Sequence, residues 1–236
     1  MSLDIKKVME VPEEILNLCG GGNSDVNVIR AEWDEEGVYF YQAYSQQIAD
    51  YALREQNFGG EGWNPDRMSW IKPSLAWMLY RSRYGYKDKN QARILKIKLS
   101  HDVVTEILTN ASLASSARAS ENICRVQWDP ERDLWASQMD RKGEHKEPRK
   151  IPTKIKAIQI GICHQFSIQN LSKLKIEDVT DLARAVGEAH NRETEEDCKT
   201  MLAALTDKLP QERPYLPRLP EKKLIELQMF PNQIVT

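Results

Sequence analysis

The stretch Arg67–Tyr86, RMSWIKPSLAWMLYRSRYGY, brings arginines and aromatic rings together at helical spacing. On a helix that begins near Pro73, four of them fall on or beside one face at i, i+4 and i+7: Trp77, Tyr80, Arg81 and Tyr84. A guanidinium offers a planar fork of N–H donors and the rings offer stacking surfaces, so this face suits a phosphate or a nucleotide. The alternative is a buried cation–π cluster with an internal carboxylate, either Asp129 or Asp133.

Two other segments carry polar groups that suit the same chemistry. The segment QWDPER places an amide, a ring, carboxylates and a second guanidinium beside a predicted tight turn: Gln127, Trp128, Asp129, Glu131 and Arg132. On the last predicted strand, Gln159 and Gly161 share the face opposite the isoleucines, and a glycine there permits close approach of a ligand to the backbone. Each segment alone also fits a simple turn or an exposed strand amide. Together they predict a polar cleft.

Several common reaction chemistries lack their motifs. The four cysteines form no CxxC pair and the four histidines lack the i, i+4 spacing of a metal site: Cys19, Cys124, Cys163 and Cys198, and His101, His145, His164 and His190. The chain contains no GxGxxG after a strand, no Walker A lysine loop and no GxSxG. We therefore expect no metal, no Rossmann-type dinucleotide binding and no serine nucleophile of the hydrolase kind.

The composition indicates a well-cored protein without a global positive field. Of 236 residues 29% are charged, and the formal net charge is −2. Contact with nucleic acid therefore needs a local patch; one basic series forms either such an edge or a solvated strand face: Lys87, Lys89, Arg93, Lys96, Lys98 and His101. No apolar run approaches the roughly 18 residues of a membrane span. With no signal-type leader either, we expect an intracellular protein, cytoplasmic or nuclear, with no membrane partner.

The apolar pattern predicts an α+β fold with a small, largely antiparallel split sheet and flanking helices. Period-two alternation predicts strands in VYFYQAYS, ARILKIKLS and KAIQIGICHQFSI, and a hairpin turn is predicted at Asp34–Gly37. Helices are predicted in five places: after a Ser45 cap, from Pro73 to about Arg83, over HDVVTEILTNA, over residues 176–190, and from a Thr194 cap to Leu209. The segments ASLASSARASEN and DRKGEHKEPRK are predicted to be loops.

Three parts are predicted along the chain. Residues 1–26 form an N-terminal helical extension, with a short helix at Val11–Leu18, and residues 27–192 form a single α+β core domain. Residues 193–236 form a C-terminal helix and a proline-rich tail. The prolines of PQERPYLPRLPEKK favour a strap or linker over a separate domain.

Three motifs taken together, RMSWIKPSLAWMLYRS, RVQWDPERD and IQIG, resemble a family catalogued as domain of unknown function 4291. The resemblance runs from about Val28 to Leu171. It implies one core domain and supplies no activity.

The layout is also similar, more distantly, to the ADP-ribosyltransferase fold, in which NAD lies in a cleft between two small sheets. This resemblance implies that the YQAYS strand holds ribose or phosphate, a position that falls on Gln42. It also implies a ring that packs on nicotinamide, at Trp70, Trp77 or Tyr80.

The same resemblance implies a late-strand glutamate, and that position falls on Gln159. A glutamine cannot act as a general base or carry the charge that stabilises an oxocarbenium-like transition state. Either the catalytic carboxylate is Asp129 or Glu131, or the site binds its ligand without the usual transfer.

The sequence therefore predicts an NAD- or nucleotide-binding protein of ADP-ribosyltransferase-like type, with ADP-ribose transfer to a protein or nucleic-acid acceptor as its expected reaction. Arg67, Lys72 and Arg81 are assigned to phosphates. The predicted ligand-binding residues are Gln42, Tyr44, Arg67, Trp70, Lys72, Ser74, Trp77, Tyr80, Arg81, Gln127, Trp128, Arg132 and Gly161, and the predicted catalytic residues are Gln159, Asp129 and Glu131. The alternatives are a non-catalytic nucleic-acid or nucleotide-binding module and an interaction scaffold; the oligomeric state is left open.

Overall fold

The structure is a computed structural model that describes residues 27–116, 124–152 and 155–229. Its six described α-helices are α1 (Gln46–Glu55), α2 (Leu75–Ser82), α3 (His101–Thr109), α4 (Thr180–His190), α5 (Glu195–Ala203) and α6 (Glu221–Glu226). The strands are β1 (Ile29–Ala31), β2 (Gly37–Tyr44), β3 (Ser69–Ile71), β4 (Arg93–Ser100), β5 (Ala111–Leu113), β6 (Cys124–Pro130), β7 (Arg132–Met139), β8 (Lys146–Lys150), β9 (Lys156–Ile162), β10 (Lys173–Asp178) and β11 (Arg213–Tyr215). The helix predicted at Val11–Leu18 lies outside the described residues.

Four small sheets make up the β structure. Two of them dominate, with strand orders β10–β4–β2 and β3–β9–β6–β5, and two are pairs, β1–β11 and β7–β8. All pairings are antiparallel except β5 with β6. The two larger sheets meet at a bridge between Tyr41 and Lys72, where each backbone N–H donates to the carbonyl of the other residue. The prediction of an α+β class with largely antiparallel sheets is confirmed.

Alternation along β4 explains how the core is divided. Leu95, Ile97 and Leu99 face one buried cluster, which includes β6, β9 and the underside of α3. Ile94 faces a second cluster, formed with helices α2, α4 and α5. Apolar side chains therefore cover one face of the β10–β4–β2 sheet and part of the other face, where Lys96 and Lys98 form ion pairs instead.

The residues that flank helix α2 determine where it begins and ends. Ser74 is the N-cap, and its Oγ accepts a hydrogen bond from the backbone N–H of Trp77 at 3.3 Å. The helix ends one residue earlier than predicted, because Arg83 and Tyr84 take the left-handed conformation at φ 50° and 56° before Gly85 is reached.

Several predicted loops are strands. The charged segment DRKGEHKEPRK forms part of the β7–β8 hairpin, in which Arg132 pairs with Lys150, and the small-residue segment contains β5. Strand β9 is not the last, since β10 occupies residues predicted as the start of a helix and β11 lies in the tail. The turn at Asp34–Gly37 forms, but β1 pairs with β11 and reaches β2 only through one Trp33–Val38 bridge.

The proline-rich tail packs onto the core along its described length. Ile29 of β1 pairs with Tyr215 of β11, and Trp33 Nε1 donates to the Pro214 carbonyl at 3.1 Å. Leu224, Leu227 and Met229 lie in the same buried cluster as side chains of the two larger sheets. Residue 192, after which a boundary was predicted, lies between α4 and α5, and both helices contribute side chains to the second buried cluster. Within the described part of the chain, no helix is both long and apolar enough to span a membrane.

Candidate functional site

Side chains from four strands or their ends meet beside the Tyr41–Lys72 bridge. We call them the polar face: Gln42, Lys72, Gln127, Asp129 and Gln159. Register explains the arrangement, because Gln127 of β6 pairs with Gln159 of β9, and Asp129 follows Gln127 by one two-residue period. The residues that precede the two glutamines, Val126 on β6 and Ile158 on β9, point into the core.

Asp129 is the centre of the polar face. Its Oδ1 accepts a hydrogen bond from Gln127 Nε2 at 3.0 Å, and its Oδ2 accepts one from Gln159 Nε2. The late-strand glutamine therefore donates to a carboxylate instead of being one. Two predicted catalytic residues, Gln159 and Asp129, are in direct contact, although the sequence separates them by thirty residues.

Lys72 forms the buried side of the polar face. Its side chain is largely enclosed at 3% exposure, and Nζ donates to Gln42 Oε1 at 3.3 Å and to the Trp70 carbonyl at 2.5 Å. Burial, and next the Arg81 guanidinium, lower the pKa of Lys72 against the opposing effect of Asp129, with a net value of about 7. Arg81 itself is exposed and, among the described residues, forms no hydrogen bond or ion pair with its side chain.

The space above Gly161 is occupied by protein side chains. A Cβ at this position would lie 2.8 Å from Met68 Sδ and 3.2 Å from the Trp70 ring. Trp70 pairs with Gly161 across β3 and β9, so its indole lies over the glycine. A ligand was predicted to approach the backbone closely at this glycine; in the structure Trp70 does so instead. A ligand ring at this position would therefore contact the edge of the Trp70 indole.

The guanidinium that lies over the rings of Trp77 and Tyr80 is that of Arg132, not that of Arg81 as predicted. Its Cζ lies 3.5 Å from the Tyr80 ring centroid and 5.8 Å from that of Trp77. Glu147 accepts from Arg132 Nη1 at 2.9 Å. The structural alternative of a cation–π cluster with an internal carboxylate is therefore the arrangement found, with Glu147 as the acid in place of Asp129 or Asp133, and Trp77 is buried within it.

Glu131 lies in a separate group, which we call the acid cluster: Glu131, Glu212 and Ser74. Ser74 Oγ donates to Glu131 Oε1 at 2.9 Å, and the Leu75 N–H at the start of α2 donates to Glu212 Oε1 at 2.8 Å. Burial raises the pKa of Glu131. Burial, and next the charge of Glu131, raise the pKa of Glu212 to about 8. The cluster ties the C-terminal tail to α2.

Three other predicted ligand residues lie away from the polar face. Tyr44 packs in the core against Phe58, with ring centroids 5.0 Å apart. Trp128 points to the opposite side of β6, where its Nε1 donates to the Leu227 carbonyl at 2.9 Å. Arg67 is exposed in the loop before β3.

Arg125 and Ser112 share the sheet side of Gln127 but were not predicted. Arg125 pairs with Gly161 on β9 and with Ser112 on β5. Arg125 Nε and Ser112 Oγ are buried and have no hydrogen-bond partner within the described residues. Counting back from Asp129 in steps of two residues would have found Arg125; Ser112 carries no such signal, because β5 was predicted to be a loop.

The basic edge suggested by the sequence is largely neutralised. Lys96 pairs with Glu32 at 2.8 Å, Lys98 pairs with Asp34 at 2.8 Å, and Arg93 pairs with Asp50 and Asp178. His101 is buried, with its ring nitrogens near the Tyr215 hydroxyl and the Asp34 carbonyl. These pairings leave little free positive charge along β4.

A cavity of about 400 Å³ lies elsewhere, between the β7–β8 hairpin and the turn from α4 to α5. Its lining includes two side chains that are also among the exposed apolar ones, Trp135 and Met139. None of the polar-face residues lines it. The described residues contain no group of three His, Cys, Asp or Glu side chains arranged to hold a metal.

Comparison with known proteins gives one family. A family model described as "Domain of unknown function (DUF4291)" matches residues 28–215. The match begins at β1 and ends with β11, so it covers both larger sheets and the polar face. No curated protein matches the chain.

Proposed function

We propose a function on the premise that the chain belongs to the family described as domain of unknown function DUF4291, a description that assigns no activity. The protein binds a nucleotide of the NAD type on the polar face and transfers ADP-ribose from it to a protein or nucleic-acid acceptor. The function therefore has to be argued from the site.

One observation carries the proposal: Gln127 and Gln159 both donate to the carboxylate of Asp129. Two amides hold this carboxylate in a fixed orientation on a half-buried surface, and each amide keeps an oxygen that can accept a bond from a ribose hydroxyl. A carboxylate held in advance where positive charge develops stabilises an oxocarbenium-like transition state. Asp129 thus supplies the charge that Gln159 lacks.

The charges and rings around Asp129 suit the rest of a dinucleotide. Arg81 is exposed near Lys72, and its guanidinium attracts a diphosphate. The Trp70 indole lies over Gly161 in the same sheet and presents an aromatic edge for the nicotinamide or adenine ring. Gln42, bonded to Lys72, is placed for a ribose or phosphate contact, as the resemblance to ADP-ribosyltransferases implies.

The test is calorimetric titration of the purified protein with NAD and with ADP-ribose, with released nicotinamide assayed in the same samples. We expect saturable binding, at least a tenfold weaker affinity in Arg81→Ala, about 1.4 kcal/mol, and loss of nicotinamide release in Asp129→Asn. Arg149→Ala serves as the matched control, because this arginine pairs with Asp133 at the hairpin cavity and not at the polar face.

Two outcomes would count against the proposal. Absence of binding up to millimolar NAD would remove the nucleotide assignment and make single-stranded nucleic acid the next ligand to titrate, with a steep salt dependence as its signature. Equal affinities of wild type, Arg81→Ala and Arg149→Ala would place any nucleotide somewhere other than the polar face.

A further inference from the structure

Lys72, at 3% exposure, is one of the described lysines whose Nζ contacts only neutral acceptors, as the Nζ of Lys146 and that of Lys173 also do. Nζ contacts two neutral acceptors, Gln42 Oε1 and the Trp70 carbonyl. It forms no ion pair with any described carboxylate, whereas Lys96 pairs with Glu32 at 2.8 Å. A buried ammonium without a counter-ion is unfavourable, so the surroundings favour the neutral amine.

The number of acceptors matches the neutral form. A neutral amine has two N–H groups and one lone pair, while an ammonium has three N–H groups. With two acceptors, the neutral amine satisfies both donors and keeps its lone pair free, whereas the ammonium leaves one buried N–H without an acceptor. Lys173 provides the contrast, since three backbone carbonyls, those of Ile168, Gln169 and Leu171, accept from its Nζ.

The charged groups that act on Lys72 come from two elements. Arg81 on α2 lowers the pKa of Lys72 in addition to burial, and Asp129 on β6 raises it, with a balance at about 7. A far larger share of the amine is therefore neutral at physiological pH than the roughly one part in a thousand of an ordinary lysine.

We propose that Lys72 is a nucleophilic amine that forms an imine with an aldehyde or ketone ligand on the polar face. The nitrogen lone pair attacks the carbonyl carbon, a C–N bond forms, and the oxygen takes a proton. The carbinolamine then loses water as the nitrogen electrons form the C=N bond and an N–H proton leaves. When the imine is protonated, its remaining N–H can still donate to the Trp70 carbonyl.

This inference uses the same face as the proposed nucleotide, but it does not require nucleotide binding. The ring-opened C1′ aldehyde of ADP-ribose is a carbonyl of the required class. So is any small aldehyde with an acidic group that Arg81 can attract. A probe smaller than a nucleotide therefore tests Lys72 even if the nucleotide proposal fails.

The experiment labels the full-length protein with glyoxylate and sodium cyanoborohydride at a series of pH values between 5.5 and 9, with site-by-site peptide mass spectrometry. Cyanoborohydride delivers hydride to the imine carbon and leaves a stable secondary amine. At pH 7 we expect Lys72 to be labelled about tenfold faster than the exposed Lys87, with a midpoint near pH 7. Arg81→Gln should move that midpoint upward, because a neighbouring positive charge is removed.

Lys173 is the matched internal control, a lysine whose Nζ has three acceptors. If Lys173 is labelled as fast as Lys72, the two-acceptor geometry does not set the reactivity and the proposal is wrong. It is equally overturned if Lys72 stays unlabelled in the folded protein while Lys87 reacts and the Lys72 peptide becomes labelled after unfolding in urea.

Discussion

The polar face and the acid cluster each contain a carboxyl group from one short stretch of chain, and the two groups have opposite surroundings. Asp129 is half-buried and accepts bonds from the side-chain amides of Gln127 and Gln159. Two residues later, Glu131 is buried against Ser74 and close enough to Glu212 for their charges to interact. Both were predicted as catalytic candidates on equal terms.

The difference separates a site that can receive a ligand from a site that holds the fold together. Amide donors that also contact solvent leave Asp129 accessible to a partner molecule. Glu131 Oε1 accepts bonds from the hydroxyl of the N-cap Ser74 and from the Arg132 N–H. Glu212 Oε1 accepts one from the Leu75 N–H, so the acid cluster connects α2 with the tail. Removing Glu131 should therefore change mainly the stability of the fold, and removing Asp129 should change mainly ligand binding.

The largest expected effect is on stability in the acid cluster. Glu131→Ala leaves the Ser74 hydroxyl and the Arg132 N–H without their acceptor and should lower the free energy of unfolding by about 2–3 kcal/mol. Asp129→Ala should lower it by less than about 1 kcal/mol, because its amide donors can turn to water. Urea unfolding of both variants measures the difference; similar losses would show that the two carboxyl groups are equivalent after all.

The next effect is a pH dependence of opposite sign in the two regions. The pKa of Glu212 is raised from 4.5 to about 8, so between these values the folded state keeps a proton that the unfolded state has released, and stability falls as pH rises. The pKa of Lys72 is lowered from 10.5 to about 7, so in that window the unfolded state binds the extra proton and stability rises with pH.

One variant of each group tests which side chain causes the fall in stability with pH and which causes the rise. Glu212→Gln should flatten the fall between about pH 4.5 and 8, and Lys72→Met should flatten the rise between about pH 7 and 10.5, in urea unfolding at each pH. A Glu212→Gln profile parallel to that of the wild type would mean that this carboxyl group titrates normally in the folded protein.

A smaller effect concerns ligand affinity at the polar face. Gln159→Leu removes one of the two donors that orient Asp129 and should weaken NAD binding by about tenfold, or 1.4 kcal/mol, with stability unchanged within about 0.5 kcal/mol. Calorimetric titration measures the affinity, and Gln138→Leu on the β7–β8 hairpin is the control. An unchanged affinity in Gln159→Leu would remove this glutamine from the site.

The smallest effect is expected at Gly161. In Gly161→Ala, the new methyl group would meet Met68 Sδ at 2.8 Å, and the flexible methionine can move aside. We expect a loss of stability of at most about 1 kcal/mol and a few-fold change in NAD affinity as Trp70 is displaced. Thermal unfolding and titration measure the two; a loss above 3 kcal/mol would indicate a rigid packing contact at this glycine.

Local patterns were enough to predict the parts of the fold that alternate regularly. The strand ARILKIKLS and its two faces, the N-cap positions of Ser45 and Thr194, and the helix after Ser100 all follow from spacing and capping chemistry. Strands β8 and β10 were missed because their residues are mostly charged, and such strands are held by cross-strand pairs such as Arg149 of β8 with Asp133 of β7.

The sequence predicted which residues belong to the candidate site but not which of them contact one another. Gln127, Asp129 and Gln159 were named from separate segments, and only β6–β9 register brings them together. Sequence spacing favoured Arg81 as the stacked guanidinium, yet Arg132 reaches Tyr80 from another strand at 3.5 Å. Glu212 had no signal at all, since its role depends on a tail that returns to α2 from 137 residues away.

The pairing of β1 with β11 has a consequence for synthesis on the ribosome. Trp33 emerges 181 residues before Pro214, whose carbonyl accepts its indole N–H. At a synthesis rate of roughly 5–20 residues per second, about ten to forty seconds pass before β1 can pair with β11. During that time the apolar side chains of Ile29 and Ala31 lack their β11 partners. Translation of β11, the last of the described strands, thus decides when β1, the first of them, can pair, and a chain that stops before residue 213 should be a substrate for chaperones.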